Sequence, residues 1–172
     1  AVTFAFEEIV GDLNQRMLGG VLIAAVIASA ISRGMEGPGP IYAEVPAYGL
    51  NNPAELVFYV LLGAIVGGAG VFFSRTLLRL RLIFRNLHSV PGWIKPAIGG
   101  LGVGIVGLFA QQAMGSGYDT LSSALKGNLP LTVMLTLSLA KLVTTALSYG
   151  SGGAGGIFAP SLFIGAMVGG TL

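Results

Sequence analysis

Apolar residues run along this chain in long blocks with few charges inside them, and the blocks alternate with short clusters of glycine, proline and polar residues. Five blocks stand out: Met17 to Ile31, Leu56 to Phe84, Trp93 to Met114, Leu131 to Tyr149, and Ile157 to Leu172. Crossing the hydrocarbon core of a bilayer takes about 20 apolar residues in a helix, so the blocks predict membrane helices of unequal length. The second is long enough to cross with a strong tilt, whereas the first is short. Between Gly115 and Asn128 the piece Thr120 to Leu125 is too short to span and predicts a half-inserted helix.

The connections differ in character. Gly34 to Pro53 is rich in Gly, Pro and Asn and predicts an ordered loop outside the bilayer that carries Glu36 and Glu44, with Glu36 as a solvated loop acid. Around the turn near His88 to Gly92 cluster Arg75, Arg79, Arg81, Arg85 and Lys95, a bias that marks the cytoplasmic side. These arginines are assigned to topology and to anionic headgroups. His88 is the single histidine and has no second ligand nearby, so no metal site is predicted.

Composition narrows the class. Of 172 residues 53% are hydrophobic and 9% charged, and the mean hydropathy is +0.83, which excludes an ordinary water-soluble domain. The 28 glycines follow no Gly-X-Y period, so they point to close helix packing in lipid. Without cysteine there is neither a disulfide nor a thiolate metal site, and a net charge of +2 gives no case for nucleic acid. Ala1 to Phe6 lacks the basic start and cleavage site of a signal peptide, and Phe163 to Leu172 stops inside an apolar run. Both ends are expected to be cuts from a longer chain.

Candidate chemistry concentrates in Gly150-Ser151-Gly152-Gly153-Ala154-Gly155-Gly156-Ile157-Phe158-Ala159-Pro160, a glycine-rich break followed at once by an apolar helix. A helix beginning inside a membrane has first-turn N–H groups without intrahelical partners, and its dipole places partial positive charge there. An anion suits such a place, because it is held without a full positive charge that would retain it. Glycine lets the backbone come close to an ion, and Pro160 falls in the first turn, where its missing N–H costs little. On composition alone the same run reads as a hinge between packed helices.

The string Gly-Gly-Ile-Phe-Ala-Pro at 155–160, continuing as Ser161-Leu162-Phe163-Ile164-Gly165-Ala166-Met167, resembles the Gly-x-Phe-x-Pro anion-binding segment of the CLC family of chloride channels and chloride/proton antiporters. The likeness extends through Leu139-Ala140-Lys141-Leu142-Val143-Thr144-Thr145 and Gly115-Ser116-Gly117-Tyr118-Asp119 back to Phe4-Ala5-Phe6-Glu7-Glu8. It implies an all-α membrane protein, a CLC-type inverted-repeat bundle with tilted, broken and partially spanning helices. The chain would run from the end of the family's helix H through I, J, K, L and M into N. Residues 1–33 would be the tail of the first half, 34–52 an extracytoplasmic loop, and 53–172 the start of the second half.

By this resemblance the backbone N–H groups of Ile157 and Phe158 donate to a central chloride and Ala159 contributes to an outer site, while Gly155 and Gly156 let the backbone approach. Glu8 matches the internal proton-transfer glutamate of the antiporters, a role a carboxylate can fill by taking and releasing a proton. Glu7 is its acidic neighbour, and a solvated pair partnered by Arg16 is the plainer alternative. Lys141 lies inside an apolar block, where a cation either faces a watery pathway or snorkels to an interface. The resemblance favours a supporting electrostatic role without direct coordination. Gly34-Met35-Glu36-Gly37-Pro38 is similar to the family's external gate segment, but it follows the Glu7-Glu8 pair instead of preceding it, so Glu36 is not assigned that role.

The resemblance also implies a homodimer in the bilayer, with Ala1 to Ile31 at its interface, chloride and protons as transported species, no cofactor, no enzymatic activity, and a bacterial inner membrane as location. A chloride channel of the same fold is the near alternative. An intramembrane serine protease fits poorly, since Ser116 and Ser151 lack the required Gly-x-Ser-Gly and His88 sits in a turn. A cation-coupled transporter with a broken helix would share the helix start but take an organic anion. The family's external glutamate and remaining chloride ligands would lie outside this chain, so it is expected not to transport by itself.

Overall fold

In a bilayer every backbone polar group needs a partner within reach, which an apolar segment achieves by coiling into a helix. The structure, a computed structural model, describes residues 15–37 and 52–171, with the backbone alone at 15–18 and 36. Among these residues there is no strand. The helices are α1 (Gln15–Glu36), α2 (Glu55–Asn86), α3 (Lys95–Phe109), α4 (Tyr118–Leu125), α5 (Leu131–Gly150) and α6 (Phe158–Gly169), with a 3-10 turn at Gln111–Ala113. The architecture is therefore all-helical, as the apolar blocks predict. Two helices, α2 with mean hydropathy 2.3 and α5 with 1.6, are long and apolar enough to cross a membrane.

The chain divides into two compact units, Ala1–Ala43 and Glu44–Leu172. In the first, α1 runs three residues past Arg33 into the stretch assigned to the loop from sequence. No proline precedes Pro38, so nothing interrupts the last turn until Gly37 donates its N–H to the Arg33 carbonyl at 3.1 Å. Glu36 thus closes a helix rather than lying in an irregular loop; its side chain, Arg16, Glu44, Glu7 and Glu8 fall outside the described residues.

In the second unit α5 is the central helix, packed against α2, α3 and α6. Phe73 and Leu77 of α2, Leu142 and Ala146 of α5 and Ile164 of α6 form a buried apolar cluster. Small residues set how closely the helices approach. A methyl group at Gly99 of α3 would overlap Ser151 and come within 2.9 Å of the Leu147 carbonyl, and one at Gly150 would lie 3.0–3.2 Å from Leu80 and Arg81 of α2. Most of α2 instead presents large apolar side chains outward, from Leu56 and Phe58 to Leu82 and Ile83.

The block Trp93 to Met114 is not one helix. After Phe109 the backbone turns out at Ala110 (φ −133°, ψ 61°), and Gln111 and Gln112 enter the 3-10 turn. The Met114 thioether then folds back to where a side chain on Gly107 would stand, 2.9 Å from its Cβ position. The apolar count ran across this break because Ala113 and Met114 are themselves apolar, and Ala113 is buried.

Candidate functional site

The glycine break begins with a defined stop. Gly152, at φ +88°, turns the chain after α5; its N–H donates to Tyr149 O at 3.3 Å and that of Gly153 to Ser148 O at 2.9 Å. This is the paired closure that occupies the last carbonyls of a helix, and it needs a residue at ease in the left-handed region. A Cβ at Gly153 would come 2.9 Å from the Ser148 carbonyl, so the chain leaves α5 against its own last turn. Residues 154–156 are irregular, and α6 starts at Phe158 with Ile157 as its N-cap.

No side chain caps this start. The Ile157 carbonyl instead accepts both the Ser161 N–H at 3.0 Å and the Ser161 hydroxyl at 2.7 Å. Pro160 stands third in the helix, within the first turn, as the sequence predicts. The opening turn thus carries the positive end of the α6 dipole, with no side-chain cap among the described residues.

This turn borders a cavity of about 570 Å³. Gly155, Gly156, Phe158, Ala159 and Pro160 form one wall, Ala113 to Ser116 another, and Lys141, Thr144, Thr145, Ser148 and Tyr149 of α5 a third. Four of the five residues assigned to anion binding from sequence therefore share one space. The Ile157 side chain is 43% exposed and stands outside the wall, so its part in any site is confined to the main chain.

Lys141 does not snorkel. The residue is 3% exposed, and its ammonium donates to Ala113 O at 3.1 Å and to Gly115 O at 2.5 Å. It also stands 5.1 Å from the centre of the Phe163 ring, a favourable cation–π distance, and Phe163 is fully buried. Gly117, at φ +75°, allows α4 to begin against that ring: a Cβ there would lie 2.7 Å from two ring atoms. One cation therefore ties the 113–117 segment to α5 and α6 while keeping positive charge beside the cavity.

Two features escaped the sequence reading. Lys141, Thr144, Thr145 and Ser148 recur at i, i+3, i+4 and i+7, so they make a single polar stripe down α5, and all four line the cavity. The spacing was visible, but Lys141 alone drew notice because only a charge is costly enough in lipid to demand explanation. Arg81, assigned to topology, donates to the Tyr149 hydroxyl at 3.1 Å and lies 5.4 Å from that ring. A pairing 68 residues apart leaves no local signal.

Two helices long and apolar enough to span a bilayer, a glycine break between α5 and α6, and a restart that borders a cavity beside a buried lysine are features of a helical membrane protein. The family model for the voltage gated chloride channel matches residues 1–172. Chloride channel protein CLC-f of Arabidopsis thaliana is 36% identical over 157 residues, covering 87% of this chain and 20% of that protein. The H(+)/Cl(-) exchange transporters ClcA of Salmonella agona and Citrobacter koseri are each 32% identical over 174 residues, covering 98% of this chain and 36% of theirs. No solved structure gives a significant match. The chain belongs to the voltage-gated chloride channel family, and it spans between a fifth and about a third of the length of these relatives.

Proposed function

We propose that this chain forms part of the ion pathway of a chloride/proton antiporter. The observation that carries the reading is the uncapped start of α6, which borders a cavity beside buried Lys141. In this reading the Ile157 and Phe158 amides face a central chloride, Ala159 serves an outer position, and Gly155 and Gly156 keep the approach clear of side chains. Lys141 adds positive field from beside the ion, with two of its three ammonium protons directed to Ala113 and Gly115. Glu8 is the proton carrier.

Exchange is favoured over a channel by the acidic residue at position 8 and by the ClcA relatives, whose name is that of an H(+)/Cl(-) exchange transporter. The likeness to a protein named chloride channel keeps the channel as the second reading. The bacterial sources of the ClcA relatives support an inner-membrane location, and a homodimer with Ala1 to Ile31 at the interface follows from the family resemblance. The protein would move ions rather than transform a substrate.

The test is transport by liposomes containing the protein expressed from the complete reading frame that encodes this chain. Chloride efflux accompanied by opposed proton movement is expected, and Glu8→Gln should abolish the proton movement while chloride efflux persists. Chloride efflux without proton movement in the unaltered protein would select the channel, and absence of chloride efflux would remove both readings.

A further inference from the structure

Thr145 carries a hydroxyl that no described residue uses. The residue is 8% exposed and lines the cavity, and among the described residues its hydroxyl has no hydrogen-bond partner. A threonine inside a helix ordinarily bonds back to the carbonyl four residues earlier. Thr136 does so with Thr132 O at 2.9 Å, as does Ser161 with Ile157 O. For Thr145 that carbonyl belongs to Lys141, and it accepts the Thr144 hydroxyl instead, at 3.1 Å. Burial of an unsatisfied hydroxyl is unfavourable, so something in the cavity must complete it.

The other walls say what kind of partner fits. The first turn of α6 contributes the positive end of a helix dipole, and the buried Lys141 ammonium contributes a full positive charge. Among the described residues that line it there is no carboxylate. A hydroxyl in such a field orients its O–H toward a negative partner. We propose that Thr145 is a hydroxyl ligand of the small monovalent anion held in this cavity, donating its proton to a halide whose remaining contacts come from the opening of α6. This deepens the chloride reading above and rests on it.

The experiment is halide binding by titration calorimetry on the detergent-purified complete protein, with bromide and chloride as probes and Thr145→Val and Thr145→Ser as variants. Valine keeps the shape and removes the hydroxyl, so halide affinity should fall about 5- to 10-fold, whereas serine should stay within about 2-fold of the unaltered protein. In halide-free gluconate buffer valine should leave the melting temperature unchanged or raise it, because it replaces an unpaired donor by an apolar group. A structural role would lower the melting temperature there instead, and that result overturns the proposal. Unchanged affinity in Thr145→Val also overturns it and leaves the chloride reading standing. Failure of the unaltered protein to bind either halide removes the chloride reading, and this proposal with it. If the valine variant is not monodisperse, Thr145→Ala, which lacks the hydroxyl and adds no bulk, is read in the same way.

Discussion

The ammonium of Lys141 stands 5.1 Å from the centre of the Phe163 ring while it donates to the main-chain oxygens of Ala113 and Gly115. A buried cation in a largely apolar chain is costly, and its three-way engagement accounts for its presence. It fastens the short α4 region to the helix that opens on the cavity.

Lys141→Met should therefore do two things. Two carbonyls lose a charged donor, a loss of about 1.5–3 kcal/mol per bond, and the cavity loses its positive field. Thermal unfolding in detergent should shift to lower temperature and chloride flux should fall at least about 10-fold. Lys141→Arg should keep most of the flux if charge dominates. Equal loss in both variants would show that the shape of the lysine matters more than its charge.

Gly117→Ala should be among the most destabilising small substitutions in the second unit. A non-glycine residue in the left-handed region costs about 1–2 kcal/mol, and the new methyl would meet the Phe163 ring at 2.7 Å. Gly115→Ala, at φ +62° with nothing within 4 Å, meets the backbone penalty alone. Thermal unfolding of the two variants side by side separates the terms, and equal losses would mean the ring yields freely.

Gly99→Ala should weaken the crossing of α3 and α5 by about 1–3 kcal/mol, because the methyl overlaps Ser151 and approaches the Leu147 carbonyl. Ser151→Gly in the same chain should restore part of the loss but not all, since the carbonyl remains. Gly104→Ala on the same helix has open space and a gain in helix propensity of up to about 1 kcal/mol, so it should be neutral or stabilising. Additivity of the Gly99 and Ser151 changes would rule out the close contact.

At the α6 start the backbone should matter more than the side chains. Phe158 is 60% exposed, so Phe158→Leu should leave anion flux within about 2-fold. Ile157→Pro removes an amide and restrains the cap, and flux should fall at least about 10-fold. Rates of chloride efflux from liposomes decide this, and a larger loss from the leucine variant would point to the ring as the functional part.

Much of this organisation was legible in the chain. The ends of α2 and α5 and the start of α6 fall close to those predicted, because apolar runs bounded by Gly, Pro and Asn leave a helix little freedom to begin or stop elsewhere, whereas α6 stops at Gly169 inside the apolar run expected to continue to Leu172. The short piece Thr120 to Leu125 is helical, as part of α4, Tyr118–Leu125. Hydropathy could not show that Ala110 breaks the block ending at Met114, since the apolar Ala113 and Met114 continue the run while Met114 packs back on Gly107. Nor could it show that Thr145 is deprived of its usual carbonyl by Thr144, because that competition depends on side-chain rotamers.

Among the described residues the cavity lining contains neither a carboxylate nor a histidine; apart from Lys141 it is made mostly of main-chain groups, hydroxyls and apolar side chains. Main-chain amides and the threonine and serine hydroxyls keep the same polarity across mildly acid and neutral conditions, so these groups do not themselves register ambient acidity. A response of the intact protein to the pH of its surroundings would therefore be relayed to these amides and hydroxyls by charged groups around them, Lys141 included, rather than sensed by them.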